Sequence, residues 1–217
     1  MRTIGLLGGS FHPAHRGHRR ISVHAMEALD LDEIWWLVSP GNPLKSVASM
    51  APLPTRFWSA RKAARRLPIR VTAIERELGT RYTVNTLRAL KRRFPRHRFI
   101  WLMGADNLAQ FHRWRDWRKI AATVPIAVVA RPGYDGAAHA ARAMGWLRRF
   151  VRPANKARHW TRWRLPALVL LKLPPDPTSA TALRAADPDW HQSPAKSLNP
   201  SINPMALRDG VTRRPLM

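Results

Sequence analysis

The sequence predicts a mainly parallel, doubly wound α/β sheet with helices on both faces. Short apolar runs rich in β-branched residues recur along the chain, and segments long enough for crossover helices separate them. Segments containing glycine, proline and histidine follow several of these runs. Ligands of doubly wound sheets bind beyond the carboxyl ends of the strands, so these segments are the expected location of a functional site.

Six apolar runs are predicted to be buried strands. The first lies close to the N-terminus, and the second contains two adjacent tryptophans. The six predicted strands are residues 4–7, 33–39, 71–74, 99–103, 126–130 and 168–173.

Two segments between these strands have the periodicity of amphipathic helices. Residues 19–29 and residues 84–94 each place apolar side chains on one helical face. Three further helices are predicted at residues 57–66, after Trp114 and at residues 137–150, where basic residues crowd the polar faces. Strands that alternate with helices in this way predict a Rossmann-like sheet.

The length of 217 residues is enough for one domain with a core of its own. We predict that this domain spans residues 1–186. After Ala186 the composition changes, because five prolines interrupt a polar segment. Residues 187–217 are therefore predicted to form a poorly ordered tail.

The chain is strongly basic, with 38 Lys and Arg against 13 Asp and Glu and a formal net charge of +25. Such a charge attracts anions, but nucleic acid and nucleoside triphosphates both present phosphates, so charge alone does not choose between them. The basic residues are scattered, and we expect most of them to lie on solvated helix faces.

The sequence has no cysteine, which excludes disulfides, thiol catalysis and cysteine metal sites. No apolar run approaches the ~18 residues that a membrane-spanning helix needs. The apolar stretch near the N-terminus is also too short for a secretory signal. We therefore expect a soluble, cytoplasmic enzyme.

A compact phosphate-handling loop is predicted at residues 8–18, GGSFHPAHRGH. Gly8 and Gly9 follow the first predicted strand, where they would let the backbone turn tightly and bring its N–H groups close to a phosphate. Ser10 adds a hydroxyl donor. If the next helix begins near residue 16, His15 and His18 lie on one side of its first turn and can donate hydrogen bonds to phosphoryl oxygens.

The same histidines allow a zinc site as an alternative. His12, His15 and His18 are evenly spaced, but the nearby chain offers no acidic partner before Glu27. We therefore expect no protein-bound metal here.

Residues 8–18 resemble the GGxFDPxHxGH signature of the HxGH nucleotidyltransferase superfamily. His15, Gly17 and His18 match, and His12 replaces the usual Asp or Asn before the proline. The resemblance implies that His15 and His18 contact the phosphates of ATP during catalysis. The ATP site that it implies in this loop also includes Gly8, Gly9, Ser10, Phe11 and Gly17.

Two further segments resemble bacterial nicotinate-nucleotide adenylyltransferases within that superfamily. Residues 39–45, SPGNPLK, are similar to a PxxxPxK loop, which implies that Lys45 offsets triphosphate charge and that Asn42 contacts the nicotinate nucleotide. Residues 75–87 are similar to an E…SYTxDTL segment, which implies that Thr83 and Thr86 lie beside that nucleotide. Asn85 stands at an often acidic position. Taken alone, Thr83 is predicted to be a helix N-cap.

The segment after the fourth predicted strand is similar to the family pattern GADxLxxFxxWxxW. The resemblance implies that Gly104 and Asp106 lie near the bound nucleotides and that Trp114 stacks on the pyridine ring. A tryptophan offers a flat apolar face to such a ring, although ten tryptophans in one chain make core packing the default for any one of them. Arg131, at the end of the fifth predicted strand, could bind a carboxylate or phosphate through its fork of donors.

Residues 178–184, TSATALR, resemble the ISSTxIR motif of the family. Ser179 or Thr181 can cap the next helix and present hydroxyl and N–H donors to the phosphates of ATP. The resemblance implies that Arg184 neutralises the β and γ phosphates.

Together these motifs imply adenylyl transfer from ATP to nicotinate mononucleotide, which gives nicotinate adenine dinucleotide and pyrophosphate in NAD biosynthesis. Mg²⁺ would be carried with ATP. One alternative keeps the chemistry and changes the acceptor to nicotinamide mononucleotide or a phosphopantetheine. A basic nucleic-acid-binding protein is a more distant alternative, because the chain has no RNA-binding signature or compact arginine-aromatic tract.

Overall fold

The computed structural model describes residues 1–41, 50–130, 140–173, 184–187 and 190. The strands in these ranges form a single sheet of seven strands. They are β1 (Arg2–Gly9), β2 (Glu33–Val38), β3 (Ile69–Thr72), β4 (His97–Gly104), β5 (Ile126–Ala130), β6 (Val151–Arg152) and β7 (Leu168–Lys172).

The strand order is β3-β2-β1-β4-β5-β7-β6, and every neighbouring pair is parallel. The chain therefore builds outward from β1 to β3 and then returns to the other side of β1 to continue with β4. This reversal confirms the predicted doubly wound, parallel fold. It opens a crevice between the carboxyl ends of β1 and β4, which is where such sheets bind ligands.

Helices cover both faces of the sheet, as predicted. Those that lie wholly within the described ranges are α1 (Arg16–Leu29), α2 (Leu53–Ala64), α3 (Ile74–Glu77), α4 (Thr83–Arg93), α5 (Ala105–Gln110), α6 (Trp117–Thr123) and α7 (Met144–Leu147), with 3₁₀ helices at Phe111–Arg113, Arg148–Phe150 and Ala154–Arg162. Within the described ranges, none of them is long and apolar enough to span a bilayer.

Two apolar cores lie on opposite faces of the sheet. On one face, α1 and α2 pack their apolar stripes against the sheet together with the 3₁₀ helix Ala154–Arg162. That helix is anchored by Trp160, whose indole N–H donates to the carbonyl of Leu29 at 3.0 Å. On the other face, α4, α5 and α6 bury their apolar residues against the same strands. The strands are thus buried on both faces, which explains their continuous apolar runs.

Several boundaries differ from the predicted ones. Gly8 and Gly9 belong to β1 and do not form the turn that follows it. β3 begins and ends two residues before the predicted strand, because the residues after Thr72 turn into the short helix α3. The 3₁₀ helix Ala154–Arg162 and the two-residue β6 were not predicted, since one is irregular and the other too short for a periodic signal. The predicted domain boundary at residue 186 stays a prediction, and of the predicted tail only Asp187 and Trp190 are described.

Candidate active site

The turn after β1 is built by residues other than the two glycines. Phe11 has a positive φ of 47°, and the peptide bond between His12 and Pro13 is cis. The Phe11 ring is buried against Trp36, with ring centroids 5.1 Å apart, and against His18, with centroids 4.8 Å apart. Packing of the Phe11 ring therefore holds the turn in a conformation that non-glycine residues rarely adopt.

Gly8 has a steric role that the sequence did not reveal. A Cβ at this position would lie 2.5 Å from the ring of Trp101 on β4, closer than two carbon atoms can pack. Gly8 therefore lets the Trp101 ring sit against β1 beside the crevice. The tight turn predicted at Gly8 and Gly9 is wrong, because both residues have the extended backbone of β1. Their predicted contact with ATP stays a prediction.

His15 and His18 close the N-terminus of α1 with a reciprocal capping arrangement. His15 is the N-cap, and its Nδ1 accepts a hydrogen bond from the Gly17 N–H at 3.1 Å. The Nδ1 of His18 accepts from the backbone N–H of His15 at 3.2 Å. The two rings are brought together, with centroids 4.0 Å apart.

This cap fixes the tautomer of both neutral imidazoles. A neutral imidazole carries one proton, and a nitrogen that accepts a hydrogen bond cannot hold that proton. Because the Nδ1 atoms of His15 and His18 both accept backbone N–H groups, their Nε2 atoms carry the protons. The helix N-terminus thus presents two imidazole N–H donors side by side, which suits an anion.

His12 joins the loop to two other parts of the chain. Its Nε2 accepts a hydrogen bond from the backbone N–H of Ala51 at 3.2 Å. Its carbonyl accepts one from the guanidinium of Arg184 at 2.6 Å, and its ring lies 5.2 Å from that of Trp190. Arg184, predicted at the ATP phosphates, therefore reaches the loop that carries His15 and His18.

A buried carboxyl group lies where β3 passes into α3. Glu75 is 7% exposed, and its Oε1 accepts a hydrogen bond from the Thr86 hydroxyl at 3.0 Å. The Thr86 hydroxyl also lies 2.9 Å from that of Thr80. Burial raises the pKa of Glu75 to about 7, while hydrogen bonds from Thr86 and Ser39 act in the opposite direction. Through Thr86 and Ser39, the Glu75 carboxyl group links the first turn of α4 to the residue that follows β2.

An aromatic wall flanks this network on the face covered by α4 and α6. The half-buried Trp114 packs edge-on against Phe111, with centroids 5.5 Å apart, and against Trp101, at 6.1 Å. Tyr82 is the N-cap of α4, and the Cζ atom of the Arg115 guanidinium lies 4.8 Å from the centroid of its ring. Trp114 is therefore partly exposed and rigidly held, as a stacking platform requires.

Other predicted residues take definite places around the crevice. Thr83 is the first residue of α4, so the predicted N-cap role belongs to Tyr82 at the preceding position. Gly104 ends β4, and a Cβ there would collide with Oδ1 of Asp106. Asp106 is exposed in the first turn of α5.

Among the described residues, no group of three or more His, Cys, Asp or Glu side chains could hold a metal ion. The imidazole N–H groups of His15 and His18 and the guanidinium of Arg184 do not ligate Mg²⁺, which requires oxygen ligands.

Comparisons with known proteins identify the family. A family model described as cytidylyltransferase-like matches residues 6–186. A curated relative from Erythrobacter litoralis, named "Probable nicotinate-nucleotide adenylyltransferase", is 65% identical over 186 residues, which cover 86% of this chain and 85% of the relative. The chain belongs to the nicotinate-nucleotide adenylyltransferase family. A relative of the same name from Cereibacter sphaeroides is 50% identical over 183 residues, which cover 84% of this chain and 97% of that relative.

Solved structures agree with the fold of a nicotinate-nucleotide adenylyltransferase. The nicotinic acid mononucleotide adenylyltransferase of Plasmodium falciparum complexed with NaAD has a TM-score of 0.63 and 17% identity, covering 85% of this chain and 83% of that one. The same protein complexed with APC has a TM-score of 0.62 and 16% identity over the same shares. At these identities the likeness shows the fold.

The structure brings most of the predicted family motifs to one edge of the sheet. The histidine loop follows β1, Thr83 and Thr86 begin α4 after β3, and Trp114 follows β4. Five of the predicted adenylyltransferase site residues lie outside the described residues: Asn42, Lys45, Arg131, Ser179 and Thr181.

Arg56 and Glu75 were missed as site residues. Arg56 lies four residues before Ala60 and eight before Ala64, so it shares their helical face. The helix predicted at residues 57–66 began one residue too late to include it on that buried face. Glu75 opens the segment that resembles the adenylyltransferase motif, but no pattern in the sequence indicates that its carboxyl group is buried.

Proposed function

We propose that this chain transfers the adenylyl group of ATP to nicotinate mononucleotide, forming nicotinate adenine dinucleotide and pyrophosphate in NAD biosynthesis. The observation that supports this most directly is the pair of imidazoles at the start of α1, with centroids 4.0 Å apart and both Nε2 atoms protonated by the constraint of the cap. They stand beside the crevice at which doubly wound sheets bind nucleotides.

In the proposed reaction, a 5′-phosphate oxygen of nicotinate mononucleotide attacks the α-phosphorus of ATP in line. A new P–O bond forms, the bond to the bridging oxygen of the β-phosphate breaks, and pyrophosphate leaves with that electron pair. The attacking oxygen is already anionic, so neither a protein nucleophile nor a general base is needed. Catalysis then rests on bringing two anions together and stabilising charge on the transferring group.

The protein groups proposed for this task are donors and cations. His15 and His18 would donate from Nε2 to phosphoryl oxygens of ATP, and their bonds would strengthen as negative charge grows in the transition state. Lys45 and Arg184 would offset the charge of the departing pyrophosphate. The hydrogen bond from Arg184 to the carbonyl of His12 supports this assignment, because it brings the guanidinium to the phosphate loop.

Nicotinate mononucleotide is the proposed acceptor because the relatives at 65% and 50% identity carry the name of that activity. Trp114 would stack on the pyridine ring. Asn42, Thr83, Thr86 and Arg131 would bind the rest of the nucleotide, and the placement of Thr83 and Thr86 at the start of α4 supports their part in this.

Mg²⁺ is proposed to enter with ATP as part of the substrate, held by triphosphate oxygens. This arrangement fits the groups proposed for the ATP phosphates, since His15, His18 and Arg184 offer imidazole N–H and guanidinium donors and no oxygen ligand. The cytoplasm, where ATP is supplied, is the proposed place of the reaction.

The test is an acceptor panel with purified protein, ATP and Mg²⁺. Nicotinate mononucleotide, nicotinamide mononucleotide and phosphopantetheine are compared by pyrophosphate release and by chromatography of the adenylylated product. We expect the highest kcat/KM with nicotinate mononucleotide. Equal or faster turnover with another acceptor would refute the choice of substrate, and no pyrophosphate with any acceptor would refute adenylyl transfer.

A further inference from the structure

Arg56 is a buried arginine whose hydrogen-bond partners are backbone carbonyls. It lies in the first turn of α2 and is 1% exposed. Its Nε donates to the carbonyl of Ala51 at 2.8 Å, and its Nη1 donates to the carbonyls of Ser10 at 2.7 Å and Ser39 at 2.8 Å. Its Nη2 lies 3.4 Å from the carbonyl of Pro40.

These carbonyls belong to segments that are far apart in the chain. Ser10 lies in the loop after β1 that leads to His15, and Ser39 and Pro40 lie in the loop after β2. Ala51 precedes α2, and its N–H is held by His12, so Ala51 is bound at both its N–H and its C=O. One guanidinium thus ties the phosphate loop to the backbone on both sides of residues 42–49.

The backbone after β2 is held by other bonds as well, which makes its position well defined. The N–H of Ser39 donates to the carbonyl of Gly9 at 3.0 Å, and its hydroxyl donates to the carbonyl of Gly41 at 2.9 Å. Residues 39–41 begin the segment that resembles the PxxxPxK motif, and the resemblance implies that Asn42 contacts the nicotinate nucleotide and that Lys45 offsets the triphosphate charge. The position of Ser39 and Pro40 relative to Ser10 therefore bears on the alignment of the two substrates.

A buried cation is an expensive way to join loops. None of the ion pairs formed by the described residues includes Arg56, so within this part of the chain its charge is offset by carbonyl dipoles. A planar guanidinium offers five N–H donors in a fixed geometry. Arg56 donates to Ala51 from Nε and to Ser10 from Nη1, so the two hydrogen bonds point in different directions. A lysine ammonium is a single point and cannot reach both sets of carbonyls with this geometry.

We propose that Arg56 is a positioning residue for adenylyl transfer, which fixes the backbone of Ser39 and Pro40 against the phosphate loop so that the acceptor phosphate lines up with the α-phosphorus of ATP. The inference rests on the proposed function. It predicts a particular kinetic signature. Loss of Arg56 lowers kcat, because alignment is lost. Each nucleotide bound alone keeps most of its affinity, because the guanidinium is buried and its donors are directed at backbone carbonyls.

The experiment compares Arg56→Met and Arg56→Lys with the wild type, using ATP and nicotinate mononucleotide as substrates. Arg61→Met is the matched control, because Arg61 is exposed on the same helix. For Arg56→Met we expect kcat to fall about 10²-fold, the scale of a misplacement of about 1 Å, with KM values within about threefold of the wild type. Arg56→Lys should give an intermediate kcat, and Arg61→Met should match the wild type.

Two measurements distinguish positioning from a merely structural role of Arg56. The first is the folded fraction of each variant at the assay temperature, and the second is the kcat of an Arg56→Ala variant after addition of guanidinium ion. Partial recovery of kcat per folded molecule supports positioning. Wild-type kcat per folded molecule in Arg56→Met, or a defect confined to the dissociation constant of one substrate, would overturn the inference. Should Arg56→Met not fold, Arg56→Lys decides, since wild-type turnover in that variant also refutes it. Inactivity of the wild type with these substrates would instead refute the proposed function.

Discussion

The buried carboxyl group of Glu75 leads to a specific prediction about the pH dependence of stability. Its pKa is raised from the ordinary value of 4.5 to about 7, mainly because burial disfavours the charged form. In the unfolded chain the group titrates near its ordinary value. Between about pH 4.5 and pH 7 the folded protein therefore binds more protons at this position than the unfolded chain does.

The sign follows from this difference in bound protons. Because the unfolded state binds fewer protons over this range, the free energy of unfolding falls as the pH rises from 4.5 to about 7 and is constant above that. At about 1.4 kcal/mol for each pH unit, the destabilisation amounts to roughly 3 kcal/mol above pH 7. Glu75→Gln removes the ionisation and keeps an oxygen that can accept the Thr86 hydroxyl. The variant should therefore gain stability relative to the wild type as the pH rises.

The assay is urea unfolding of the wild type and Glu75→Gln at half-unit intervals from pH 4.5 to pH 8.5. The quantity of interest is the difference between the two free energies of unfolding at each pH, since this cancels the other titrating groups. Glu27→Gln, an exposed position on α1, is the matched control. We expect the Glu75→Gln difference to rise by roughly 3 kcal/mol and then level off near pH 7.

A difference that is the same at every pH would refute the reasoning, because the native pKa of Glu75 would then be ordinary. A difference that falls with rising pH would mean that the carboxylate is stabilised in the fold. The same profile in Glu27→Gln would show that the effect does not come from burial.

Three further predictions concern the phosphate loop. His18→Gln should keep the cap of α1, because Gln at this helical position can also accept the N-cap N–H, and CD melting should show an unchanged stability. The kcat measured by pyrophosphate release should fall by about 10²-fold or more. Wild-type turnover would exclude a catalytic role for His18. Gly8→Ala should cost about 1–3 kcal/mol in urea unfolding because of the contact with Trp101, whereas Gly145→Ala, which meets nothing within 4 Å, should be neutral or stabilising. His12→Asp should retain more activity than His12→Ala, because a carboxylate can accept the Ala51 N–H and a methyl group cannot; equal activities would contradict this.

The fold could be predicted from the sequence because its signals are local. Buried parallel strands read as continuous apolar runs, and helices such as α1 and α4 show a period of 3.6 residues on one face. The pairing of His15 with His18 was predictable for the same reason, since residues three apart in the first turn of a helix are neighbours. The end of β1 was predicted less well, because Gly8 was taken for a turn residue whereas it lies in the strand and makes room for Trp101 of β4.

The site residues that the sequence did not indicate act on partners without a sequence signal. Arg56 binds carbonyls, which every residue has, and two of them belong to residues 46 and 17 positions away in the chain. The raised pKa of Glu75 arises from burial between α3, α4 and the end of β2, which only the tertiary structure defines. In both cases the residue type alone predicts an exposed charged side chain, and only the tertiary structure shows that the side chain is buried and which groups it contacts.

His12 shows how a departure from a family motif can preserve a physical function. The family usually has Asp or Asn at this position, and a histidine differs from both in shape and charge. In the structure, however, the imidazole Nε2 acts as a hydrogen-bond acceptor for the backbone N–H of Ala51. A carboxylate oxygen or an amide oxygen can accept the same bond, so the three residue types share the ability to hold the Ala51 N–H. His12 holds the N–H of Ala51 while Arg56 holds its carbonyl, so an acceptor at position 12 that reaches Ala51 keeps both bonds together at the start of α2.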